Sequence, residues 1–275
     1  AIVLQQFVTG PLGLPFYGTV AITIALIWLY TFQGGIKTIV YTDALQTICM
    51  LAAVVLTIVY IGQALETDMG GLVTMIRQSD YSQVFFFEGG WSDPNNFFKQ
   101  FFSGALITIV MTGLDQDMMQ KNLSISNVRD AQKNMGLFSI ILIFANLLFL
   151  ALGALLYLYA ANVGLEIPAA TDQLYPTIAL QHLPAAAGIF FIIGLIAAAY
   201  SSADSALTAL TTSFYVDFME AKDKDWEQIK QKRVRRYVHL GFSVLLLLVI
   251  MSFQLIGDRA VINSLFKAAG YTYGP

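Results

Sequence analysis

Long apolar stretches alternate with short polar ones along the chain, which is the pattern of a protein that crosses a membrane several times. A helix needs about 20 apolar residues, rising 1.5 Å each, to cross about 30 Å of hydrocarbon. The pattern predicts the tail of a span at the beginning of the chain, six full spans, and another span that begins near Val261. The six full spans are predicted at residues 17–32, 41–61, 97–119, 135–159, 185–219 and 238–255.

Composition supports an all-α membrane protein and excludes several other classes. Hydrophobic residues make up 57% of the 275 residues and charged residues only 12%, against about 25% charged in soluble domains. A net charge of -3 and the absence of a basic-aromatic pattern argue against a nucleic-acid partner. One cysteine, Cys49, and two histidines cannot build a disulfide or a zinc cluster. The chain begins without Met or a signal peptide and ends inside a predicted helix, so we expect a fragment of a larger transporter-like protein.

Lysine and arginine predict the orientation of the spans. Basic residues concentrate in the connection from Lys121 to Lys133 and in the connection at residues 220–236, which should both be cytoplasmic. Between them in alternation lie residues 66–93, which are mostly acidic, and residues 165–184, which contain no Lys or Arg. The six spans are self-consistent under this rule. We interpret residues 220–236 as a solvated helix with a positive-inside role, with partner binding as the alternative.

The most informative pattern is a polar stripe on the predicted span at residues 185–219. At about 100° per residue, one narrow face collects Ser201, Asp204, Ser205, Thr208, Thr212 and Tyr215. Hydroxyl groups alone could bond back to carbonyl groups one turn earlier in their own helix. A carboxylate cannot be satisfied by carbonyl acceptors unless it is protonated, so Asp204 favours a cation site or a water-filled path.

Acidic side chains within or near spans need a cation, a proton or a hydrogen-bond partner. Four fit this description: Asp43, Asp115, Asp117 and Asp204. Few Lys or Arg residues lie at matching depth, so a hard cation with a preference for oxygen ligands, Na⁺, is the simplest partner. Asp43 has a second interpretation, as the N-cap of the helix that follows it.

A second polar face lies on the predicted span at residues 97–119. It contains Thr108, Met111, Thr112, Asp115 and Gln116. Gly113 could loosen this helix, and discontinuous helices with exposed backbone groups bind solutes near the middle of the membrane in transporters. The alternative is that Gly113 only allows close helix packing.

Three segments resemble the sodium:solute symporter family, which includes sodium/glucose cotransporters, sodium/proline permease and bacterial sialic acid symporters. Residues 34–46 resemble the family's GG-x-x-x-V-x-x-TD-x-x-Q segment, with Ile39 in place of the Val. Residues 113–121 resemble its D-Q-x-x-x-Q-R segment, and residues 198–205 resemble its sodium-binding helix. The three segments occur in order from near the start of the chain to beyond residue 200.

The resemblance implies a LeuT-type inverted-repeat fold with ten core helices in two halves of five. Residues 1–275 would form one transmembrane transporter domain, from about the end of core helix 3 to the start of core helix 10. The family's main sodium site corresponds to the carbonyl of Ala198 and the hydroxyls of Ser201 and Ser202. The second sodium of some members corresponds to Asp43, Ser201, Asp204 and Ser205. A carboxylate at Asp204 departs from the expected hydroxyl and could strengthen that second site or add a proton.

The resemblance also implies a solute site that Thr108, Met111, Thr112, Asp115 and Gln116 help to form. Sugar cotransporters have Tyr-Trp where this chain has Met111-Thr112, and a Lys where it has Leu142, which argues against glucose or galactose. Lys267 stands where the last core helix contacts solute; it could bind a substrate carboxylate, as in an acidic sugar such as sialic acid, or reach outward to the membrane interface.

The resemblance therefore predicts sodium-coupled symport of a small organic solute by a multi-pass membrane protein, in the inner membrane if bacterial. Its partners would be Na⁺, the solute and the lipid bilayer, and no covalent chemistry is implied. Two alternatives are a membrane-embedded sensory or anchoring module on the same helices, and a proton-coupled carrier in which Asp204 relays the proton.

Overall fold

A computed structural model describes residues 2–221, 224–256 and 271, without the side chains of residues 2, 30, 32–39, 111 and 253–256. The regular structure of the described residues is helical throughout. The α-helices are α1 (Ile2–Leu4), α2 (Phe16–Ala64), α3 (Met69–Gln78), α4 (Phe97–Leu114), α5 (Gln116–Leu123), α6 (Val128–Val163), α7 (Leu174–Thr177), α8 (Ala185–Ser213) and α9 (Gln228–Ile256). Short π-helical turns at Gln5–Thr9, Ile178–His182 and Phe214–Phe218 extend α1, α7 and α8.

The predicted spans correspond to apolar helices in the structure. Among the described residues, 5 helices are long and apolar enough to cross a membrane, and Phe16–Leu29 forms a shorter apolar helix. The α6 helix extends beyond its predicted span on both sides because its ends are capped outside the apolar window. The Asn127 side chain accepts the amide of Asp130 at the start, and Gly164 adopts φ 69° at the end.

The predicted span at residues 97–119 is wrong in its second part, because the helix breaks at Asp115. Helix α4 ends at Leu114, and Asp115 has extended backbone angles of φ -70° and ψ 119°. The Asp115 carboxylate accepts a hydrogen bond from the amide of Met118 at 2.9 Å and so caps α5. Gly113 and this cap together explain the interruption, since an N-cap residue cannot keep helical backbone angles.

Helix α2 consists of two arms that run in opposite directions, although its backbone is helical from Phe16 to Ala64. The hydroxyls of Thr9 and Thr19 are hydrogen-bonded, and Gln6 bonds Gln173. Thr57 bonds Tyr175, which follows Gln173 closely in sequence. Both arms therefore reach the same segment, whereas a straight helix would separate Thr19 from Thr57 by about 57 Å. The chain reverses between the two arms. This reversal lies between the two spans that the sequence predicts at residues 17–32 and 41–61.

The chain forms two compact units. One contains Ala1–Tyr60 and Ile167–Ala269, and the other contains Ile61–Glu166 and Gly270–Pro275. In the second unit α3 packs against α6, and the rings of Tyr81 and Tyr157 stack at 5.4 Å. The single transporter domain over residues 1–275 stays a prediction.

The core of the first unit lies along the first arm of α2. Phe16, Val20, Ile24 and Ile27 form one apolar stripe with helical spacing, and they are buried together with Leu207 of α8. Side chains of α9, including Phe242 and Leu246, pack against this cluster. Burial of this stripe ties α2, α8 and α9 together and fixes the position of the polar residues on α8.

A buried histidine joins the same three helices. The Nε2 atom of His239 lies 3.0 Å from the Thr31 hydroxyl, and its Nδ1 atom lies 3.0 Å from the Thr211 hydroxyl. Each threonine hydroxyl also donates to a carbonyl one turn earlier in its own helix, Thr31 to Ile27 at 2.7 Å and Thr211 to Leu207 at 2.6 Å. The imidazole is therefore a polar crosslink inside an apolar core.

The second arm of α2 approaches α8 closely at Gly194. A Cβ atom at this position would lie 2.8 Å from the Cβ of Ala53, so the two helices come closer here than any larger side chain allows. Near the end of the contact, Thr57 bonds Tyr175 at 2.8 Å, and the Tyr175 ring packs edge-on against Phe191 at 4.7 Å. Burial raises the pKa of the Tyr175 phenol, which the Thr57 hydrogen bond opposes in part, so the phenol is protonated at neutral pH.

Candidate functional site: a carboxylate between two spanning helices

The second arm of α2 and the polar stripe of α8 meet at a carboxylate with two hydroxyl donors. Ser201 donates to one oxygen of Asp43 at 2.6 Å, and Ser205 lies 3.5 Å from the other oxygen. Asp43 is half-buried in the interior of α2, so the alternative interpretation of Asp43 as an N-cap is wrong. The residues immediately before it, from residue 40, already have helical backbone, whereas an N-cap residue precedes its helix. The carboxylate instead connects two helices through side-chain oxygens.

Asp204 adds a second carboxylate to the same turn of α8. Its side chain is fully buried, with 0% exposure, and Ser205 is 6% exposed. The remaining predicted members of the stripe, Thr208, Thr212 and Tyr215, are half-buried. The stripe therefore faces the protein rather than lipid over most of its length. A fully buried carboxylate in the turn whose serines contact Asp43 adds negative charge that attracts a cation.

The Ser202 hydroxyl adopts the local arrangement that serines commonly form in spanning helices. It is exposed and donates to the carbonyl of Ala198 at 3.1 Å. Ser201 on the neighbouring position points to Asp43 instead. The structure thus brings Asp43, Ser201 and Ser205 together, and it places Ser202 and the Ala198 carbonyl on an adjacent side of α8.

The donors of this site suit a hard monovalent ion. Among the described residues, no three His, Cys, Asp or Glu side chains come together in a cluster that could hold a metal ion. The groups around Asp43 are carboxylate, hydroxyl and carbonyl oxygens, which are the ligands that hard cations prefer. Transition metals that require nitrogen or sulfur ligands are poorly matched to this set.

Five of the predicted solute residues belong to the other compact unit, around the α4–α5 break: Thr108, Met111, Thr112, Asp115 and Gln116. Thr108 is exposed and donates to the carbonyl of Gly104 at 2.7 Å, and Thr112 and Asp115 are half-buried. Gln116 is exposed in the first turn of α5. The last carbonyl groups of α4 have no following turn of the same helix to bond them. The side chain of Met111 and the whole of Lys267 lie outside the described residues.

The comparison with protein families is decisive for this chain. The model of the sodium:solute symporter family matches residues 4–273. The chain belongs to the sodium:solute symporter family. This membership accounts for the coincidence of the three sequence segments and makes the chain a multi-pass integral membrane protein with helices of the kind described above.

Two curated members of the family are similar to the chain at low identity. The sodium/sialic acid symporter NanT of Aliivibrio fischeri is 23% identical over 76% of this chain and 42% of its own length. The sodium/sialic acid symporter SiaT of Proteus mirabilis is 24% identical over 74% of this chain and 42% of its own length. The chain therefore spans less than half the length of these relatives.

A solved structure of a family member has the same fold. It is a Na⁺-coupled sialic acid symporter in a substrate-bound, outward-open state, described as revealing a novel Na⁺ site. The likeness has a TM-score of 0.75 at 21% identity and covers 93% of this chain and 55% of that one. This confirms the predicted LeuT-type fold for this chain.

Sequence reasoning missed the polar crosslink at His239. Composition bears on this histidine only as a zinc ligand, although it lies at the start of a predicted span where a polar ring needs partners. Those partners, Thr31 and Thr211, are ordinary threonines of other helices. No spacing rule relates residues 208 positions apart in sequence, so only the tertiary structure could reveal the crosslink.

Proposed function

We propose that this symporter-family chain carries out sodium-coupled uptake of a small organic solute by alternating access. The observation that carries the proposal is the Asp43–Ser201 contact of 2.6 Å between two membrane-spanning helices. A carboxylate at this depth requires a charge partner, and sodium is the coupling ion in the relatives' names. Downhill entry of Na⁺ supplies about 2.3 kcal/mol per charge per 100 mV, besides its concentration gradient.

We assign two sodium positions on either side of Ser201. One uses Asp43, Ser201, Asp204 and Ser205, in which the second carboxylate increases the attraction for a cation. The other uses the carbonyl of Ala198 with the hydroxyls of Ser201 and Ser202. Ser202 already bonds that carbonyl, so an ion there would replace a local hydrogen bond by two oxygen ligands.

The favoured solute is a sugar or an acidic sugar such as sialic acid. Thr108, Met111, Thr112, Asp115 and Gln116 provide its site at the α4–α5 break, where free carbonyl groups of α4 can accept sugar hydroxyls. The Asp115 carboxylate already occupies the N-terminus of α5. It repels an anion there, so the acid group of the solute requires a cation from elsewhere in the protein. Lys267 is the candidate for this role, with a position at the outer membrane interface as its alternative.

Uptake into proteoliposomes that contain the intact protein tests the proposal. We expect radiolabelled sialic acid to accumulate when external Na⁺ drives it and to stop accumulating when choline replaces Na⁺. Uptake that continues unchanged in choline would contradict sodium coupling. If uptake follows a pH gradient instead, the fully buried Asp204 becomes the proton relay of a proton-coupled carrier.

The solute assignment has its own control. A panel of neutral sugars and acidic sugars should separate the two classes, and Lys267→Ala should weaken uptake of the acidic ones selectively. Equal loss for both classes would show that Lys267 does not bind the acid group. Sodium coupling would be unaffected by that result.

A further inference from the structure

The first turns of α9 carry a dense set of exposed cations. We use the name α9 basic ring for Lys230, Lys232, Arg233 and Arg235, which are all exposed. None of these four side chains forms an ion pair with any residue that the structure describes. The structure therefore shows four positive charges here that have no carboxylate partner among the described residues.

Two lysines of the other predicted cytoplasmic connection form ion pairs. Lys121 pairs with Asp117 at 2.8 Å, and Lys133 lies 3.6 Å from Asp130. Both lysines are thus neutralised by carboxylates of their own helices. The general preference for positive charge on the cytoplasmic side explains both connections. It does not explain why four exposed cations without an ion pair to a described residue lie together in the α9 basic ring, where the other connection has one such cation, Arg129.

The cations of the ring surround the helix instead of forming a face. Successive helical residues are about 100° apart, so the four positions point about 0°, 200°, 300° and 140° around the axis. They occupy a band about 8 Å tall, since each residue rises about 1.5 Å. An acidic protein docks on one side of a helix, whereas a layer of lipid headgroups surrounds it. The distribution of charge therefore fits headgroups.

Trp226 marks the depth of this band. Its ring lies 5.1 Å from the ammonium of Lys224 and 4.8 Å from that of Lys230. Gln231 donates to its backbone carbonyl at 2.9 Å and so holds the tryptophan against the first turn of α9. Tryptophan prefers the headgroup level of a bilayer because its ring is apolar and its N–H is polar. A tryptophan at that level would place the cations beside it near the lipid phosphates.

We propose that the α9 basic ring is a binding surface for anionic phospholipid headgroups. Each Lys or Arg near a membrane surface adds to the attraction for anionic lipids, and four unpaired cations in one narrow band act together. Trp226 inserts at the level of these headgroups, and its ring contacts the adjacent acyl chains. This proposal does not depend on sodium coupling or on the identity of the solute.

Fluorescence quenching by brominated lipids tests the proposal on the intact protein. In a background in which Phe replaces Trp28, Trp91 and any tryptophan of the intact protein outside residues 1–275, the purified protein is reconstituted with brominated phosphatidylglycerol or brominated phosphatidylcholine. Quenching of Trp226 then reports the lipid beside it. We expect phosphatidylglycerol to be preferred by at least about fivefold. Replacing Lys230, Lys232, Arg233 and Arg235 by Gln should abolish the preference, while a Lys121→Gln, Lys133→Gln control should retain it.

Ionic strength provides a second test that needs no change in the ring. Raising choline chloride from about 0.05 M to about 0.5 M shortens the screening length, and the preference of the unsubstituted ring should fall severalfold. Equal quenching by the two lipids at low salt would overturn the proposal. So would a preference that survives both the four substitutions and high salt. Choline keeps sodium binding out of the measurement.

Discussion

Asp43→Asn is the sharpest perturbation of the sodium site, because it removes one charge and preserves the size and the acceptor oxygen. Two unit charges about 4 Å apart attract by about 4 kcal/mol at an effective dielectric constant of 20, which suits a half-buried carboxylate. Desolvation of the ion and the carboxylate offsets about half of this attraction. The remaining 2 kcal/mol or so corresponds to sodium binding that is weaker by about 30-fold.

Equilibrium binding of radiolabelled sodium to the purified protein measures this effect without knowledge of the solute. Asp217→Asn is the matched control, because Asp217 also accepts a serine hydroxyl, from Ser213 at 2.8 Å, but it is exposed at the end of α8. The control should bind sodium like the unmodified protein. A sodium affinity of Asp43→Asn within about twofold of normal would refute the reasoning, provided that the variant melts at its usual temperature.

Two further substitutions test the packing that supports the site. Thr211→Val should lower the free energy of unfolding by about 1–3 kcal/mol, because it leaves one nitrogen of the buried His239 without its partner. Thr108→Val loses only a similar backbone contact on an exposed surface and should change the melting temperature much less. Gly194→Ala should cost about 1–3 kcal/mol by forcing two helices apart. Gly153→Ala, with open space around its Cβ position, should be neutral or slightly stabilising; equal effects at both glycines would contradict this account.

Hydropathy was sufficient to predict the helical spans, because a membrane-spanning helix must be apolar over a fixed length. It could not predict the helix ends, which extend into polar residues and depend on caps such as the side chain of Asn127. The sequence pattern also placed Asp115 within the predicted span at residues 97–119, because Asp115 continues the polar face of that span. The carboxylate instead bonds the Met118 amide and ends that helix.

The candidate site could be located from sequence only on one helix at a time. Helical spacing placed Ser201, Asp204 and Ser205 on one stripe, and in the structure Asp204 and Ser205 are buried and Ser201 is half-buried. The contact between Ser201 and Asp43 joins residues 158 positions apart, which periodicity cannot relate. Only the family resemblance suggested that Asp43 belonged with these serines, and their roles as sodium ligands stay a prediction.

The crosslink at His239 has a consequence for the hydrogens that its three residues share. A neutral imidazole carries one N–H and the two threonines carry one O–H each, which gives three hydrogens for four short contacts. If Nε2 carries the hydrogen, Thr31 keeps its carbonyl bond and Thr211 must choose between the ring and its own helix. If Nδ1 carries it, the choice passes to Thr31. A tautomer change in the His239 ring therefore moves the missing hydrogen bond between Thr211 of α8 and Thr31 of α2. The backbone does not have to move.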